Sequence, residues 1–213
     1  MKEEPIESIE YKDYQINIYR DTDECSPRDN CDYTSHFWNN TYSHTFDRRR
    51  ETQFGDILDD NGRLSKDFIK DHIFVKVYLY SHSGESVSTS SFGDPWDSGL
   101  FGILAESKES VREEFGAKRI SPKLRKMIVE RLTAEVNEFN QWLTGDVYGY
   151  TITPLDDDED VLDSCWGFYG DYNNREESEL MDNAMSEIDW RVERDNEIAA
   201  RESCEFWSGA NAA

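Results

Sequence analysis

Between His72 and Tyr80 the chain carries two interleaved apolar sets: Val75, Val77 and Leu79 on one side, Phe74 and Tyr78 on the other. Side chains of a strand alternate with period two, and β-branched and aromatic residues fit its pleated surface. A strand apolar on both sides needs cover on both sides, so this segment belongs in the middle of a sheet. Its partner is close at hand. Ser83 and Gly84 make a turn, and residues 86–92 return as a hairpin strand.

Further strands follow from the same alternation. Tyr14, Ile16 and Ile18 mark a half-buried strand within 11–20, with Tyr19 across the pleat. Residues 33–46 read as a short strand or hairpin turning at Asn39 and Asn40, and Leu100–Leu104 as a short buried strand. Residues 147–153 and 161–169 flank an acidic turn, Asp156 to Asp160. Helices fill the gaps. Ser107 caps a short one. Ser121 and Pro122 open a long one whose stripe is Leu124, Ile128, Leu132, Val136, Phe139 and Leu143, closed by Gly145. A last helix spans 176–202, with Met181, Met185, Ile188, Val192 and Ala199 inward. This order predicts an α+β fold, an antiparallel sheet with helices packed mainly on one face. We expect a single domain over residues 1–206, with 21–66 loop-rich and loosely attached and 207–213 frayed.

Charge narrows the function. The chain holds 46 acidic against 23 basic residues, a net of −23, and residues 144–213 hold 19 acids against 4 Arg and no Lys. Such a field repels nucleic acid and anionic membrane, so neither is an expected partner. No apolar run approaches the length of a membrane span, and the N-terminus has no apolar leader. We therefore expect a cytoplasmic protein with its four cysteines reduced.

Three phrases stand out: Trp96-Asp97-Ser98-Gly99, Gly145-Asp146-Val147-Tyr148-Gly149-Tyr150, and Asp163-Ser164-Cys165-Trp166-Gly167-Phe168-Tyr169-Gly170. With Glu135-Val136-Asn137 in the helix between them, they resemble a family of small proteins from bacteriophages and mobile elements, over roughly residues 93–172. Ser26 to Asn30 is a weaker match, and the acidic tail from Arg175 departs from the family's shorter ending. The resemblance implies a phage or mobile-element context. It brings no activity and no catalytic residues.

Chemistry is sparse. Cys25, Cys31, His36 and His44 lie too far apart for the tight pairs of structural zinc, and read as free thiols and surface histidines. Asp156, Asp157, Asp158, Glu159 and Asp160 lack the alternation, glycine and terminal glutamate of a calcium loop. Asp97, Asp146 and Asp163 sit at loop–strand junctions and form the one carboxylate set that suits a metal-dependent hydrolase of nucleotide signals, provided they converge. The bland account makes them turn caps beside core aromatics Trp96, Tyr148 and Trp166. No nucleophile–histidine pair or phosphate loop is present, so neither catalytic residues nor a cofactor is expected.

The acids themselves are the leading candidate. Asp156 to Asp160 with Asp182, Glu187, Asp189, Glu193, Asp195 and Glu197 make an outward anionic array. Spaced like phosphates on a duplex, such acids fill the cationic groove of a nucleic-acid-binding protein. The expected role is a DNA-mimicking inhibitor of a host defence protein of restriction or CRISPR type. It would act by stoichiometric binding in 1:1 or, as a homodimer, 2:2 complexes.

Overall fold

The computed structural model describes residues 4–22, 25–30, 33–40, 52–176 and 178–210. The fold is α+β, but with two sheets rather than one. The chain divides into two compact units, residues 1–22 with 146–213, and residues 23–145, where the sequence predicts a single domain. Each has its own core because each has its own sheet and long helix.

In the first unit, β1 (Glu7–Tyr11), β2 (Tyr14–Arg20), β8 (Val147–Pro154) and β9 (Asp163–Tyr169) form an antiparallel sheet in the order β1-β2-β8-β9. The pairing of β2 with β8 sets Ile16 opposite Ile152 and Ile18 opposite Tyr150. These side chains are buried under Leu180, Met181, Ala184 and Ile188 of α5 (Leu180–Ala210). The apolar stripe of α5 ends at the partly buried Val192; Ala199, expected inward, is exposed because the helix outruns the sheet beneath it. The helix continues to Ala210, so residues 207–210 are helical rather than frayed.

The second unit holds β3 (His36–Asn39), β4 (Thr52–Gln53), β5 (His72–Ser81), β6 (Glu85–Ser88) and β7 (Ser98–Ser107), in the order β4-β3-β7-β5-β6. All pairs are antiparallel except β3 with β4. As expected, β5 lies inside the sheet and is covered on both faces. Ile73 and Val77 pack with Ile128, Leu132 and Val136 of α4 (Pro122–Thr144), while Phe74 packs with Phe68 of α2 (Lys66–Asp71) and Ile57. The helices thus sit on both faces of this sheet. Ser121 Oγ accepts from Leu124 N to cap α4, and Gly145 at φ 76° ends it in the left-handed region. Ser107 likewise caps α3 (Lys108–Glu114).

Part of the 21–66 segment is held firmly, against expectation. Its helical turn α1 (Pro27–Asn30) presents Arg28, which is buried and reaches Glu135 of α4 at 2.7 Å and Ser35 Oγ at 2.9 Å. Ser35 Oγ also donates to Glu135. Tyr33 Oη donates to Glu138 at 2.6 Å, and Thr34 Oγ1 to the buried Glu106 at 2.8 Å. Arg131 joins Glu106 to Glu114, its charge held by both carboxylates. A buried charge is tolerated only with such partners. Residues 41–51, including His44 and most of the second half of the predicted 33–46 hairpin, lie outside the described residues, as does Cys31.

Candidate functional site

The first unit carries most of the charge: 25 acidic against 7 basic residues, a net of −18, leaving −5 on the second. Its connections gather acids at one end of the sheet. The β1–β2 turn is tight, with Lys12 at φ 55°, and Asp13 O accepts from Leu155 N at 3.2 Å. This places the turn beside the start of the β8–β9 connection. There Asp156, Asp157, Asp158, Glu159 and Asp160 are all exposed. Asp157 Oδ1 accepts from Glu159 N at 3.0 Å and Asp157 N donates to Pro154 O at 3.4 Å, which orders the turn. Arg191 of α5 donates to Leu162 O at 2.9 Å, so the middle of that helix adjoins the same end.

The helical acids divide into two groups. Asp182, Asp189, Glu193 and Glu197 follow at steps of seven, four and four, which lines them along one side of α5 flanking its apolar stripe. Several are already paired within the unit. Asp189 accepts from Lys12 Nζ at 2.8 Å and Tyr11 Oη at 3.0 Å. These bonds, that from Lys12 first, hold its carboxyl below the usual range and raise both Lys12 and Tyr11. Asp182 lies 3.3 Å from Arg175, Glu187 3.0 Å from Arg191, and Asp195 3.8 Å from Arg194. Glu193 and Glu197 are exposed and make no ion pair among the described residues, although the charge of Glu193 acts on Lys12.

Magnitudes decide which part resembles a nucleic acid. Residues 180–202 carry seven acids and three Arg, a net of −4. At ~1.5 Å rise per residue that is one net charge in roughly 8 Å. Duplex DNA carries one per ~1.7 Å of axis, or one per ~3.4 Å along each strand. The helix alone falls short of the duplex value about fivefold. The turn does not fall short of a strand, since its five consecutive acids advance by at most about 3.6 Å per residue. The array is therefore an acidic pole of Asp13, Asp156 to Asp160 and Glu193, with Glu197 further along α5. Asp13 and the pairing of Lys12 with Asp189 were not read from the sequence; the signal was a tight Lys-Asp turn between two alternating strands.

Two of the three alternative carboxylates, Asp146 and Asp163, stand at opposite ends of one strand's length. Asp97 belongs to the second unit, where its Oδ2 lies 3.0 Å from His82 Nδ1. Asp146 immediately precedes β8, and Asp163 pairs opposite Ile152 near the far end of that strand. Six residues of strand separate the two levels by roughly 20 Å. Among the described residues, no group of three or more His, Cys, Asp or Glu is placed to hold a metal ion. Asp94, not Asp97, caps the Trp96 turn, its Oδ1 accepting from Trp96 N at 2.9 Å. Of the aromatics expected in the core only Tyr148 is buried; Trp96 is 92% and Trp166 46% exposed.

The motif phrases have a structural basis. Gly149 of the second phrase lies beneath Trp166 of the third: a Cβ there would sit 2.2 Å from the indole. A register shift between Tyr148 and Tyr150 sets Trp166 and Gly167 opposite Gly149, with Gly167 at φ 82°. Such a bulge re-aims a side chain, here onto the sheet.

Compared with known proteins, the chain matches no protein-family model, no curated protein and no solved structure. Among the described residues no helix is long and apolar enough to cross a membrane.

Proposed function

We propose that this protein is a phage-encoded inhibitor that binds a nucleic-acid-binding host defence protein, of restriction or CRISPR type, in place of its nucleic acid. The observation that carries the reading is the ordered, exposed run Asp156 to Asp160 at one pole of a unit of net −18. Charge of that density favours association with cationic grooves and speeds encounter. A rigid body beneath it reduces the ordering cost of binding. The phage context rests on the motif resemblance, and the cytoplasmic location follows from the role.

The binding set differs from a uniform helical array. Asp156 to Asp160, Glu193 and Glu197 face outward for a partner, whereas Asp189 chiefly secures α5 through Tyr11 and Lys12. Reversing Asp189 therefore disturbs helix docking as well as charge. The clean test replaces Asp156, Asp157, Asp158 and Asp160 by Asn and Glu159 by Gln. Purified restriction and CRISPR effectors are then titrated with the wild-type chain and the variant. Inhibition saturating at one chain per effector site, and lost in the variant with no fall in melting temperature, is the expected result. Failure to inhibit any effector, or equal inhibition by the variant, overturns the reading.

A further inference from the structure

The face of the first sheet opposite α5 is organised in rows. Tyr19 pairs with Gly149, and Trp166 lies over Gly149, so one row runs through Tyr19, Gly149 and Trp166. The adjacent row is polar throughout: Ser8, Asn17, Thr151 and Ser164. Trp166 lies with one side of its indole on Gly149 and remains 46% exposed. The Tyr19 ring flanks it at 5.9 Å between centroids. A half-exposed tryptophan seated on a glycine, beside another ring and a polar row that includes the Thr151 and Ser164 hydroxyls, is a recognition surface rather than a piece of core. The surrounding charge selects its occupant. A net of −18 on this unit repels phosphate-bearing ligands and draws cations. The cation that also matches a flat π face is guanidinium, which stacks on indole and turns its N–H groups to nearby oxygens. Thr151 and Ser164 hydroxyls stand one rung away on the same face, at roughly 7 Å along the strands.

We propose that Trp166 and Tyr19 form an arginine-docking platform, through which a basic partner is recognised by an arginine side chain as well as by charge. This deepens the inhibitor reading and rests on its cationic partner. The acidic pole supplies attraction; the platform distinguishes Arg from Lys, which charge alone does not.

The test uses the full chain and two peptides of equal length and charge, alternating Gly-Arg and Gly-Lys, followed by calorimetry and by the indole N–H signals in NMR. The arginine peptide should bind about two- to fivefold tighter and shift the Trp166 signal, assigned by its loss in Trp166→Phe. Trp166→Leu should abolish the arginine preference while keeping the shared charge-driven binding, and Trp166→Phe should retain part of it. Tyr19→Leu, which leaves Trp166 in place, should also reduce the preference and guards against misfolding of the tryptophan variants. Neutralising Asp156 to Asp160 should weaken both peptides and leave their ratio intact. Equal affinity for the two peptides, or a preference that survives Trp166→Leu, overturns the platform and leaves the acidic reading standing. No binding of either peptide overturns both.

Discussion

At the scale of single residues, Gly149 links two of the sequence phrases. The space above its Cα is occupied by Trp166, so any side chain there meets the indole at 2.2 Å and the Cys165 carbonyl at 2.9 Å. Both sit on the sheet and neither is a flexible chain end. Gly149→Ala should therefore cost about 1–3 kcal/mol through overpacking and shift the Trp166 emission. Gly84, with nothing within 4 Å of its added Cβ, is the control. Urea unfolding of both variants checks this, and equal midpoints would contradict the packing account. Tyr150, in the adjoining core, has its hydroxyl pushed up to about 12, chiefly by burial, and donates it to Asn183 at 2.6 Å. The sequence displayed these residues as phrases without their meaning, because Gly149 and Trp166 belong to separate strands joined by the acidic turn.

At the scale of elements, legibility followed locality. The α4 helix was readable from cap to close, since Ser121, Pro122, its stripe and Gly145 are all local signals. The same holds for β5 and β2. By contrast nothing local marks α1, because what holds it is Arg28 meeting Glu135, 107 positions away. The β1 strand lies at the sheet edge, and its Glu7 stands where the alternation of Ile9 and Tyr11 calls for an apolar residue, so no full strand pattern marks it. The buried end of that long-range contact makes a pH prediction. Burial raises the Glu135 carboxyl, against the opposing pull of Ser35 and Arg28. Between the unfolded value near ~4.3 and the raised folded value, the native state holds more proton than the unfolded chain. Glu135's contribution to stability is therefore present below that window and declines as pH rises through the folded pKa. Comparing Glu135→Gln with wild type in urea across this range isolates the contribution: the stability difference between them should change with pH in that sense. A difference constant with pH would contradict the buried titration.

At the scale of the whole molecule, composition and architecture coincide in a way that neither announces alone. The charge step near residue 144 falls where the chain passes from one unit to the other. The first unit is nonetheless discontinuous in sequence, because β2 pairs with β8 across the entire intervening unit. Long-range strand pairing leaves no local trace, which is why one domain was expected from the sequence. The consequence is electrostatic. Self-repulsion in a body of net −18 opposes its compact state, and salt relieves it. The Debye length falls from ~10 Å at 0.1 M to ~3 Å at 1 M ionic strength. Sodium chloride over that range should raise the melting temperature of the first unit, reported by Trp166, while weakening its hold on a basic partner. Neutralising Asp156 to Asp160 removes five like charges from one pole, so the variant should show a shallower rise and a weaker salt dependence of binding. The two effects of salt have opposite signs and a common origin. A melting temperature that climbs equally in wild type and variant would show that repulsion is spread over the unit, and the pole would lose its standing as the seat of the field.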